Sequence, residues 1–106
     1  MKLVLAIVSS DDAAMVNNSL TKAGFQATKL ATTGGFLKAG NTTFLIGVDD
    51  EKVENVMEIL HKQSRRRTQM MPAANGDTGM LGTYPIEVAV GGATVFVLDV
   101  DQFQKL

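Results

Sequence analysis

Leu3-Val4-Leu5-Ala6-Ile7-Val8, followed at once by Ser9-Ser10-Asp11-Asp12, is the stretch on which the fold turns. Six consecutive aliphatic residues read as a strand buried on both faces or central in its sheet, because a half-solvated strand would alternate apolar with polar. The next four residues carry hydroxyls and carboxylates. Such groups accept from the unpaired N–H groups at a helix N-terminus and suit its positive end. Ala13, Val16, Leu20 and Ala23 then recur at helical spacing, and Gly24 ends the helix as a left-handed cap.

Outward from that strand and helix, residues 25–33 read as a second strand, broken by Gly34-Gly35. Residues 42–48 are a third, with Phe44 and Ile46 on one face and Leu45 on the other. Asp49 and Asp50 open a second helix whose buried side is Val53, Val56, Met57 and Leu60. Residues 64–83 show no period and read as a long loop, functional or mobile. Residues 84–90 and 93–98 are the last strands, joined at Gly91-Gly92 in a two-residue hairpin where positive φ is needed. The order predicts an α+β domain over residues 1–106. It is a ferredoxin-like βαββαβ sandwich with an extra C-terminal strand, a short loop at 34–41 and a long one at 64–83. Both helices then cover one sheet face. The other face keeps aliphatics, and self-association is its natural cover.

Composition narrows the function. Of the 106 residues, 45% are hydrophobic and 20% charged, as in a folded domain. A formal net charge of −1 gives no field favouring nucleic acid or a membrane surface. With no cysteine there are no disulfides, thiolate metal sites or cysteine nucleophiles, which suits a reducing cytosol. The run at 3–8 is too short for a signal peptide or a membrane span, so a cytoplasmic protein is expected. No nucleophile–base set, paired acid and base, or metal cluster is legible, and catalysis is not expected.

Two segments carry a resemblance. Thr28-Lys29-Leu30-Ala31-Thr32-Thr33-Gly34-Gly35-Phe36-Leu37, continuing through Ala39-Gly40-Asn41-Thr42-Thr43-Phe44, is similar to a stretch typical of the PII-like cyclic-di-AMP receptors. Val90-Gly91-Gly92-Ala93-Thr94-Val95-Phe96-Val97-Leu98 resembles a second. The resemblance implies a homotrimer binding one cyclic-di-AMP at each subunit interface, without a cofactor, and relaying occupancy through its loops to an unknown protein effector in signal transduction. It assigns Gln26, Ala27, Thr28, Gly35, Phe36, Leu37, Asn41 and Gly47 to the pocket. Gly92, Phe96 and Leu98 would line the wall from the neighbouring subunit.

The residue types suit that ligand, a dianion with two purines. Gly34-Gly35-Phe36-Leu37 can bring backbone N–H groups close to phosphate. Phe36 offers a stacking face. The Asn41 amide can pair with an adenine edge, Thr28 offers a hydroxyl, and Gly47 lets a base lie against backbone. Relatives commonly carry arginine where this chain has Gln26, which donates a hydrogen bond but no charge. Lys29 and Lys38 are the substitutes considered for it. The tail, Gln104-Lys105-Leu106, also departs from the relatives' ending.

Other features read more plainly. Arg65-Arg66-Arg67 is expected as a solvated loop cluster, His61 as a partly exposed helix residue without a metal partner, and Met70-Met71 as loop packing. A PII-type adaptor for ATP or another small metabolite is the alternative function. PII proteins that bind ATP, however, carry a long loop between the second and third strands, where this chain is short.

Overall fold

The computed structural model describes residues 1–30, 40–72 and 85–106. Chain order is β1 (Lys2–Ser9), α1 (Ser10–Lys22), β2 (Ala27–Leu30), β3 (Asn41–Val48), a 3-10 turn (Asp50–Lys52), α2 (Val53–Ser64), β4 (Arg67–Pro72), β5 (Pro85–Val90) and β6 (Ala93–Asp99). Two sheets form. Four strands lie in the order β2-β3-β1-β6, and β4 pairs with β5 as a separate ribbon. Every pairing is antiparallel. Two helices and an antiparallel sheet with β1 inside are compatible with a ferredoxin-like arrangement.

The first strand is central, as its unbroken apolar run predicts. It alternates inside the sheet: Val4, Ala6 and Val8 are buried, whereas Leu3, Leu5 and Ile7 are only half-buried. The buried set packs with Phe44, Ile46 and Val48 of β3 beneath Val16 and Leu20 of α1 and Val56 and Leu60 of α2. Both helices therefore cover one side of the sheet. Ser9 caps α1, its hydroxyl accepting from the Asp11 N–H at 3.3 Å.

Asp49 and Asp50 do not cap α2 directly. Asp49 begins the 3-10 turn with no side-chain cap bond, and α2 starts at Val53. The Asp50 carboxylate instead lies 2.8 Å from the N-terminal amine. That hydrogen bond holds its pKa below the usual carboxylate range.

Two sequence expectations are corrected at the C-terminal half. Residues 67–72, assigned to the long loop, form β4, in register with β5 from Arg67↔Val90 to Pro72↔Pro85. The strand was not legible because a two-stranded ribbon buries neither face deeply. Its residues need no apolar alternation, and Arg-Thr-Gln-Met has none. Nor is Gly91-Gly92 a hairpin turn: β5 pairs with β4, while β6 leaves to pair with β1. The extra strands are thus an inserted ribbon, and the C-terminal strand β6 completes the main sheet. The diglycine is the corner between the two sheets, with φ of 78° and 90°. The Gly92 N–H donates to the Ser64 carbonyl at the end of α2.

Gly91 is required for space as well as for φ. A Cβ there would lie 2.4 Å from Nη1 of Arg67 and 2.7 Å from the Arg65 carbonyl oxygen. The arginine side chain can move but the carbonyl is backbone. Gly91→Ala is therefore expected to destabilise the fold by about 2–4 kcal/mol, combining left-handed strain with the clash. Chemical denaturation measures it, and an unchanged midpoint contradicts the stated role of the corner.

Candidate functional site

Register decides which side chains meet, because directly opposed residues in a sheet share a face. Thr28 lies opposite Leu45, Leu45 opposite Leu5, and Leu5 opposite Phe96. One step along, Gly47 lies opposite Leu3, and Leu3 opposite Leu98. At the other end Asn41 lies opposite Ser9. Thr28, Asn41, Gly47, Phe96 and Leu98 therefore all occupy the sheet face that the helices leave open. That face is apolar: Leu3, Leu5, Ile7 and Leu45 are half-buried, and Phe96 and Leu98 are 52% and 46% exposed.

Ala27 is different. It pairs with Ile46 and packs against the core on the helix side, so its side chain does not belong to the open face. Alternation along β2 forces this once Thr28 faces outward. Lys29 likewise lies on the helix side, opposite Phe44, in a cleft with Ser10 and Asn17 of α1. Its side chain thus lies on the opposite face of the sheet from Thr28. Gly35, Phe36, Leu37 and Lys38 lie outside the described residues.

Four of the nominated residues fall in clefts at opposite ends of the sheet. Gln26 and Gly47 line a small cleft of about 240 Å3 with Met1 and Phe25. A Cβ on Gly47 would come 3.2 Å from Cε of Met1, a flexible neighbour. Asn41 and Gly92 line a larger groove, of about 870 Å3, where the sheet, the end of α2 and the diglycine corner meet. Such a volume accommodates a small-molecule ligand.

The same groove holds residues that the sequence reading left aside: Ser9, His61, Arg65 and Arg66. The arginine cluster was visible as a basic run, but nothing in the sequence shows which neighbours it meets. The structure splits it. Arg67 is not solvated at random: its Nη2 lies 2.8 Å from Oδ1 of Asp12, and its Nη1 reaches Oδ2 at 3.3 Å and the Arg65 carbonyl at 3.1 Å. The Asp12 side chain is 9% exposed, and its hydrogen bonds and charge raise the Arg67 pKa further. This fork ties the start of the ribbon to the first turn of α1. Arg65 and Arg66 make no ion pair among the described residues.

The sequence matches a family described as cyclic-di-AMP receptor over residues 1–106. The chain belongs to that family. A solved structure similar to this receptor is a functionally unknown protein from Pediococcus pentosaceus, 48% identical, with a TM-score of 0.79. The match covers 99% of this chain and 96% of that one. Family membership supports a receptor role with cyclic-di-AMP as ligand. Among the described residues of the receptor, no helix is long and apolar enough to cross a membrane, and no group of three or more His, Cys, Asp or Glu could hold a metal ion.

Proposed function

We propose that this chain is a cyclic-di-AMP sensor that assembles as a homotrimer, binds the nucleotide between subunits, and relays occupancy to a protein partner through its loops. It acts by binding and not by turnover, in the cytoplasm. The observation that carries the reading is the apolar sheet face, left open by both helices, that Thr28, Asn41, Gly47, Phe96 and Leu98 share. Phe96 and Leu98 lie on β6, one strand beyond β1, whereas Thr28, Asn41 and Gly47 lie on β2 and β3. A ligand touching both groups is reached most directly when β6 comes from a neighbouring copy. Apolar cover for Leu3, Leu5 and Ile7 and the ligand contacts then arise from one association.

Within that cleft the Asn41 amide reads an adenine edge, Thr28 supplies a hydroxyl, and Gly47 leaves room for a base. Main-chain amides from Gly35 to Leu37 contact phosphate. Gln26 donates a neutral hydrogen bond at the far end. No feature of the described residues favours ATP over cyclic-di-AMP.

Titration calorimetry tests this. Cyclic-di-AMP is expected to bind with one ligand per subunit. Asn41→Ala is expected to weaken it at least ten-fold at unchanged subunit mass, as loss of a bidentate base contact requires. Absence of heat at protein concentrations well above micromolar, or equal displacement by ATP, overturns the reading.

A further inference from the structure

We infer that Arg65 and Arg66 supply the positive charge that holds the phosphates of the bound dinucleotide, an inference that rests on the receptor reading above. A phosphodiester dianion is held more tightly by charged donors than by neutral ones, and arginine serves it best through its planar fork. Position 26 carries glutamine. Lys29 faces the helices, on the opposite side of the sheet from Thr28. Arg67 is committed to Asp12 through two hydrogen bonds.

Arg65 and Arg66 are the arginines left, and both line the groove that holds Asn41 and Gly92. Among the described residues that line it there is no aspartate or glutamate. The groove wall is thus of one sign on a chain whose net charge is −1. Its geometry is set by fixed backbone: Arg65 caps the end of α2, its carbonyl accepts from Arg67, and the Gly92 N–H donates to the Ser64 carbonyl. The two guanidinium groups therefore spring from an anchored corner, next to the amide proposed to read a base.

Charge then enters at the Asn41 end of β3. Gln26 stands at the other end, roughly 20 Å away for a strand of this length. The phosphates accordingly sit nearer Asn41 than an arginine at position 26 would draw them.

The test is titration of cyclic-di-AMP into the full chain and into the double variant Arg65→Gln/Arg66→Gln, at low and high potassium chloride. Lys29→Gln serves as a control on the opposite face. The dissociation constant of the double variant is expected to rise at least ten-fold, and its dependence on salt to flatten, since the screened charge pairs are gone. Lys29→Gln is expected to change it less than two-fold. Circular dichroism and subunit mass check that the variants are folded and assembled. If the single variants Arg65→Gln and Arg66→Gln and the double variant bind as the parent does with the same salt response, the inference is wrong and the receptor reading stands. If the parent chain itself does not bind, the receptor reading fails first.

Discussion

Replacing Phe96 by aspartate is expected to leave a folded protein that no longer assembles, with its mass in solution falling from three subunits to one. Phe96 is 52% exposed in the single chain and lies on the edge strand β6, so the core does not depend on it. In the assembly it would sit among Leu5, Leu45 and Thr28 against a neighbour. An unpaired carboxylate buried there costs several kcal/mol per subunit, enough to dissociate the complex at micromolar concentration. Response to cyclic-di-AMP is lost together with the mass. Light scattering after size-exclusion chromatography reads the outcome, and a Phe96→Asp protein of unchanged trimer mass would remove the open sheet face from the account.

The other large effect concerns Phe44, whose loss is expected to affect folding itself. Phe44 is fully buried at the centre of the core, paired with Ala6 on the neighbouring strand. Truncation to alanine leaves a cavity that Val16, Leu20 and Leu60 cannot fill without moving whole helices. The expected loss is about 3–5 kcal/mol, or roughly 12 °C or more in melting temperature for a domain of this size. Calorimetry at fixed protein concentration measures it, since the proposed assembly would make the melting temperature depend on concentration. A drop of only a few degrees would show that the core lies elsewhere. The contrast between the two phenylalanines follows from parity: even-numbered positions of β3 face the helices, and even-numbered positions of β6 face away.

That parity explains much of what was legible. The unbroken run from Leu3 to Val8 announced a central strand, and strong caps announced α1, because both signals are local. Phe44 and Ile46 on one face and Leu45 on the other were readable for the same reason. The open sheet face was readable as a surplus of aliphatics.

The ribbon was not readable, because β4 is held by backbone pairing with β5 and buries little. The diglycine was misread because positive φ suits a hairpin and a corner equally; only the pairing of β6 with β1 distinguishes them. The facing of Ala27 was legible too, since a strand cannot point Ala27 and Thr28 the same way. The division of Arg65-Arg66-Arg67 rests on Asp12, 55 residues away from Arg67 in sequence. No local pattern encodes such a contact.

Native mass spectrometry of the chain with cyclic-di-AMP addresses the central claim most directly, since it counts subunits and nucleotides in one species. The account predicts three subunits, with up to three nucleotides bound as the ligand concentration rises. A monomer that carries the nucleotide, or a trimer that carries none, would contradict it.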